Sequence, residues 1–212
     1  MMSDIHTLNQ WIRAGEGPQL DFKTTITSYA KIAKSMVAFA NSRGGRIVVG
    51  VEDKGYFVGV DVEGEKYELD KAASQYCSPN IVLQYDKIEY QGRYALVVNV
   101  AESLDKPHYA YNKKKTAQQL YIRVGDECIV PPIFVTKMLK EGDLNVTYRT
   151  GEYYRTQKQL VRYLKENQSI SIEGFMEWQK VSTRNAQRML VDYLLEGTLR
   201  ITNSKQQIFE LY

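Results

Sequence analysis

Cysteine and histidine are scarce, with two of each in 212 residues. Cys77 and Cys128 stand far apart, which is neither a disulfide framework nor a zinc-knuckle spacing, so both read as reduced, buried thiols. His6 and His108 have no Cys or His neighbours, leaving a zinc site without support, and Cys77 has no sequence-level partner base to make it a nucleophile. No apolar run approaches the ~18 residues that cross a bilayer. The opening segment, Met1 to Gly17, lacks the basic flank, apolar stretch and small-residue site of a signal peptide. The expectation is therefore a cytoplasmic protein without a membrane partner. Strong charge of one sign is also missing: the net charge is +3, too mild to diagnose a partner.

What is present is a globular composition, 43% hydrophobic and 25% charged, which argues against disorder and fibrous repeats. The length accommodates one large domain, or a medium domain with a small one. Charge is unevenly placed. Through Thr147 the 18 basic and 18 acidic residues cancel, whereas from Tyr148 onward 10 basic residues face 7 acidic ones, so the whole excess lies in the last third. Sixteen tyrosines add amphipathic surface, most of it suited to strand faces.

Apolar spacing predicts a short helix from Asp4 to Ala14, an extended piece from Gln19 to Thr24, and an amphipathic helix from Tyr29 to Asn41 stopped at Gly44-Gly45. A buried strand, Arg46 to Val51, should turn at Glu52-Asp53-Lys54-Gly55 and return as a paired strand, Tyr56 to Val60. Tyr67 to Tyr76 reads as helix, Ile81 to Tyr90 and Tyr94 to Val100 as a hairpin, Leu120 to Val124 as a strand, and Pro131-Pro132 opens a helix to about Lys140. The last third predicts helices over Gln157 to Glu166, Ile172 to Gln179 and Ser182 to Leu195. A hairpin, Leu199 to Thr202 with Gln207 to Leu211, follows. Three helices and then a hairpin is the order of a winged helix. The expected organisation is α+β: a mixed sheet with flanking helices over residues 1–145, and a small winged helix-turn-helix domain over 146–212.

At Asp21-Phe22-Lys23, Ala38-Phe39-Ala40-Asn41-Ser42 with Gly44-Gly45, Gly50-Val51-Glu52-Asp53-Lys54-Gly55 and Val58-Gly59-Val60, the sequence resembles the Schlafen AlbA-like domain family. Pro79, Lys106-Pro107, Tyr109 and Tyr121-Ile122-Arg123-Val124-Gly125 extend the resemblance, which covers residues 12 to 140. It implies a DNA-binding or regulatory protein, as bacterial members are described. An ATP-binding label is rejected, because Gly44-Gly45 is not followed by the Gly-Lys-Ser/Thr of a phosphate loop. The resemblance to eukaryotic Schlafen nucleases, which cut transfer and ribosomal RNA, implies a divalent-ion trio at Glu16, Asp21 and Asp53 with Lys23 beside it. Asp21 replaces the family's Glu, which shortens one ligand by a methylene.

Elementary chemistry permits that enzyme: Mg²⁺ or Mn²⁺ takes hard carboxylate oxygens and can clamp a phosphate during hydrolysis. Each residue also has a plainer role. Asp53 opens a turn, Glu16 is a solvated acid and Lys23 a surface lysine or a phosphate contact. Arg43 and Arg46 flank the double glycine, where they could hold phosphate or stay solvated around a helix end. Lys113-Lys114-Lys115 is either a solvated loop or a nucleic-acid backbone clamp.

In the last third, Ser182 or Thr183 can cap a helix whose stripe is Met189, Leu190, Tyr193 and Leu194, leaving Arg184, Asn185, Gln187 and Arg188 outward. Such side chains read guanine and adenine edges. The acids Glu173, Glu177, Asp192 and Glu196 blunt the field, and Trp178 is expected in the core. The leading reading is a nucleic-acid-binding protein, a DNA-binding transcriptional regulator. Its rivals are a metal-dependent endoribonuclease built on Glu16, Asp21 and Asp53, and an assembly module that makes a homodimer through its winged helix.

Overall fold

Ile47, Val48 and Val49 are apolar in succession, the pattern of a strand covered on both faces. In the computed structural model they lie in β2 (Gly45–Val49), each fully buried. The structure describes residues 4–142, 144, 151–203 and 207–212. The chain divides into two compact units, Met1–Val130 and Pro131–Tyr212.

In the first unit β2 pairs in parallel with β1 (Leu20–Lys23) and antiparallel with β5 (Arg93–Val100), which pairs with β4 (Leu83–Tyr90). The order is β1-β2-β5-β4. Because side chains alternate across a strand, Ile47, Val49, Leu96 and Val98 enter one core with α2 (Tyr29–Asn41) and α3 (Val62–Gln75). Phe22, Val48 and Val97 enter another, closed by Leu8 of α1 (Ile5–Ala14). Asp4 caps α1 by accepting from the Thr7 amide at 2.8 Å. Each large apolar side chain buried in this way contributes about 1.5–3 kcal/mol.

The remaining strands of this unit are short. β3 (Cys77–Ser78), β6 (Tyr109–Tyr111) and β7 (Gln118–Leu120) form one small sheet, and β8 (Ile122–Val124) pairs with β9 (Glu127–Ile129). They are tied to the end of α2 by Asn41, which is fully buried. Its amide donates to the His108 and Tyr121 carbonyls, both at 2.9 Å, and its carbonyl accepts from the His108 amide at 2.7 Å.

Two expectations fail here. Tyr56 to Val60 is not a strand, because only Val51 and Phe57 form a bridge. The backbone instead folds back on Gly50, whose carbonyl accepts from Val58 and Gly59, and positive φ at Gly50, Gly55 and Gly59 interrupts any ladder. Leu120 to Val124 is not one strand either. It breaks at Tyr121, so that β7 and β8 serve different sheets.

The second unit contains α4 (Ile133–Lys140), α5 (Gly151–Asn167), β10 (Ser169–Ser171), α6 (Ile172–Gln179), α7 (Thr183–Leu195), β11 (Leu199–Asn203) and β12 (Ile208–Leu211). Its strands form an antiparallel sheet in the order β10-β12-β11, with β10 absent from the sequence expectation. Leu160, Phe175, Ala186, Leu190, Tyr193 and Phe209 make its core. Trp178 packs beside it, its ring 5.0 Å from Tyr163 and 5.9 Å from Phe175. The boundary expected at 145/146 lies outside the described residues. By its contacts α4 is grouped with the second unit, where Phe134 packs edge-on against Phe209. With seven helices and four sheets among the described residues, the class is α+β.

Candidate functional site

Strand β1 lies at a sheet edge, where unpaired backbone groups need partners. Phe22 faces the α1 core, so the pleat turns Asp21 and Lys23 to the other face together. Glu16 follows the α1 cap, and its Oε1 accepts from the Phe22 amide at 2.7 Å, so the acid blunts the edge of β1. Lys23 Nζ lies 2.9 Å from Asp21 Oδ2 and 3.9 Å from Glu16 Oε1. Its directed hydrogen bond goes to the Phe22 carbonyl at 2.7 Å, which leaves Asp21 Oδ2 ion-paired without a hydrogen bond.

The other oxygen of Asp21 faces Arg123, which sequence reasoning did not single out. This guanidinium is 2% exposed and lies 3.5 Å from Asp21 Oδ1. It donates to the Gly17 and Leu20 carbonyls at 3.1 and 3.0 Å and sits over the Phe39 ring. The available signal was a charged residue inside the apolar strand Tyr121-Ile122-Arg123-Val124, which needs a buried partner. Two carboxylates and two cations thus form a neutral group. Burial pushes the Glu16 carboxyl up from its usual value, opposed by the Phe22 amide and reinforced by the Asp21 charge.

The structure brings Glu16, Asp21 and Lys23 together and leaves Asp53 out. Asp53 is exposed on the turn closed by the Gly55 amide on the Glu52 carbonyl at 2.7 Å. Among the described residues no three His, Cys, Asp or Glu side chains are grouped to hold a metal ion. The donor set explains this: a Mg²⁺ or Mn²⁺ ion at Asp21 would sit between an ammonium and a guanidinium already bound to the same carboxylate. As placed, Glu16 and Asp21 share their surroundings with two cations, and Asp53 is not grouped with them among the described residues.

Around the double glycine the reason for glycine is packing. A Cβ on Gly44 would lie 2.7 Å from the Glu102 amide nitrogen, and one on Gly45 would lie 2.5 Å from the Phe39 ring. Arg43 is turned inward, its side chain 6% exposed and Nη1 3.4 Å from Glu102, which Lys106 also contacts at 2.7 Å. Arg46 stacks over the Trp11 ring at 4.6 Å.

Lys113, Lys114 and Lys115 are exposed on the connection from β6 to β7. The loop is held by Asn112, whose amide donates to the Ala117 carbonyl and whose side chain accepts from the Thr116 amide. The three ammonium groups are therefore carried on a structured turn.

In the second unit Ser182 caps α7 through the Asn185 amide. Arg184 and Asn185 are exposed, Gln187 and Arg188 half-buried, and Leu190, Val191 and Leu194 fully buried. Asn185, Arg188 and Met189 line a cleft of about 300 Å³ with Glu152, Tyr153 and Thr156.

A family model described as Schlafen, AlbA_2 matches residues 16–131. Among solved structures, the DIP2311 protein from Corynebacterium diphtheriae is 21% identical, with a TM-score of 0.39 over 54% of this chain and 25% of that one. The chain thus spans only a quarter of that protein. The N-terminal domain of a "Putative ATP-dependent DNA Helicase RecG-related Protein" from Nitrosomonas europaea is 23% identical, with a TM-score of 0.45 over 58% of this chain and 88% of that one. No curated protein matches the chain. The family match takes in β1, the AFAN segment ending α2, the glycine turn and the Arg123 strand, more than half of the sequence; the chain belongs to the Schlafen AlbA_2 family.

Proposed function

We propose that this protein binds nucleic acid and regulates transcription. In this reading the second unit is a winged helix that presents α7 to duplex DNA, and the family domain adds backbone contacts through its lysine turn. One observation carries it. The first turns of α7 hold Arg184 and Asn185 exposed and Gln187 and Arg188 half-buried, ahead of the fully buried Leu190, Val191 and Leu194. Residues four apart are neighbours on a helix, so Arg184 and Arg188 share a ridge. Arginine and asparagine are the side chains that pair bidentately with guanine and adenine edges. The sheet order β10-β12-β11 behind three helices supports the same reading.

The test is fluorescence polarisation with a mixed-sequence duplex at several salt concentrations. Replacing both arginines (Arg184→Ala, Arg188→Ala) should weaken binding and reduce the salt slope by up to about 2, near one per lost phosphate contact. An affinity and slope both unchanged would remove α7 from the interface. A light-scattering mass that falls from dimer to monomer in the same variant would instead assign this face to self-association. The nuclease alternative gains nothing from the carboxylates as placed.

A further inference from the structure

Several cations of the first unit lie over tyrosine rings, and two of them meet around one cavity. Lys115 Nζ lies over the Tyr76 ring at 4.5 Å. Lys71 lies over Tyr29 at 4.9 Å and over Tyr67 at 5.7 Å. Tyr29 and Tyr76 are themselves in contact, with centroids 5.4 Å apart. Tyr67 is 64% exposed, an unusual setting for so large a ring. Tyr29, Tyr76 and Lys113 line a cavity of about 440 Å³ together with Ile26, Thr27 and Glu68.

This surface is held in shape from beneath. Glu65, on the inner side of α3, accepts hydrogen bonds from the Thr25 hydroxyl and the Ile26 amide, fixing the segment that leads into Tyr29. Opposite it, Lys115 occupies the left-handed region at φ 56°. Glycine is favoured there, and the Lys115 ammonium, besides lying over Tyr76, donates to the Gln75 side-chain oxygen at 3.2 Å. Of the acids on α3, Asp70 is taken by the Tyr85 hydroxyl at 2.6 Å and Glu65 by Thr25 and Ile26, while Glu68 lies beside Lys71 and lines the cavity with Lys113.

We propose that this lysine and tyrosine surface binds single-stranded nucleic acid. Bases stack on Tyr67 and at the mouth of the Tyr29–Tyr76 cavity, while phosphates run along Lys71, Lys113 and Lys115. Stacking platforms beside a basic track are how proteins hold single strands without reading sequence. The net positive charge selects a polyanion, and the exposed flat rings select one that carries planar bases. This inference rests on the nucleic-acid reading above and adds a second site of different substrate form, in a different unit from α7.

The experiment titrates labelled twelve-residue oligothymidine, oligouridine and a duplex against the full chain and its variants. Tyr67→Ala should weaken single-strand binding about tenfold while Tyr67→Phe retains it. Combining Lys71→Ala, Lys113→Ala and Lys115→Gly should lower the single-strand salt slope by about 2, at 0.7 per phosphate. Glycine is chosen at 115 because it keeps the turn. Duplex affinity should hold in both Tyr67 variants, and unchanged melting curves would exclude misfolding. Equal loss with both oligomers indicates a site indifferent to the sugar, whereas loss with one alone assigns it to DNA or to RNA. Duplex binding without single-strand binding by the native protein would overturn this inference alone. So would native single-strand affinity in the variants, or displacement by polyglutamate as effective as by oligothymidine, which would mark an acidic protein partner. Failure to bind any nucleic acid would end both readings.

Discussion

Arg123 and Arg184 are the same residue type put to opposite use. Arg123 is buried against Asp21 and two backbone carbonyls, and it joins β8 to the edge of β1. Arg184 stands exposed on the first turn of α7. Removing a buried partner leaves its counter-charge desolvated, whereas the contacts of an exposed charge are weakened by water and contribute little. The same residue type is thus sorted by burial: at β1 it is part of the structure, and at α7 it is left at the surface.

The largest effect that would sharpen this comparison is at the buried end. Arg123→Ala should cost about 3–5 kcal/mol in urea unfolding, because Asp21 would remain buried without its guanidinium. A loss below about 1 kcal/mol would break the contrast. Asp21→Asn should cost less, about 1–3 kcal/mol, because Arg123 keeps its bonds to the Gly17 and Leu20 carbonyls.

The effect at Glu16 is smaller and shows its sign through pH. Burial raises its folded pKa above 4.5, so the folded protein holds this proton more tightly than the unfolded chain. Its favourable contribution is complete below the unfolded value and is lost as pH rises through the raised folded value. Glu16→Gln keeps an acceptor for the Phe22 amide and abolishes the titration. The stability of the native protein relative to this variant should therefore fall between pH 4 and pH 7 in parallel urea melts. A rise over that range would reverse the assignment. Smallest of all, Asp53→Asn on its exposed turn should change stability by less than about 0.5 kcal/mol. A loss of more than about 1 kcal/mol would show that its side chain holds the turn.

Local pattern made much of the fold legible. Helices α2 and α6 begin and end where apolar spacing and breakers place them, and Ser182 caps α7 through its hydroxyl. What failed depended on distant partners. Nothing between Tyr56 and Val60 says that three glycines will let the chain fold back on Gly50 in place of pairing. Nothing local says that Tyr121 will divide a strand between two sheets. At the candidate site, spacing gathered Glu16, Asp21 and Lys23 correctly. It could not supply Arg123, which lies 102 positions beyond Asp21 in the chain. That missing cation decides the character of the cluster. The lysine run was visible, but the tyrosines beneath it come from α2 and the end of α3, and only folding brings them to Lys113 and Lys115.

Asn41 has a consequence for how much chain this domain needs. Among the described residues its amide and carbonyl are satisfied by His108 and Tyr121, so α2 can be complete long before its last side chain finds these partners. During synthesis the helix must wait for some eighty further residues, and a fragment that stops after β5 would enclose a bare amide at the centre of its core. Contacts of such long sequence separation close late and slow folding. The smallest self-sufficient piece of the first unit therefore extends past Tyr121, and a nick between β5 and β6 should yield two halves that remain associated.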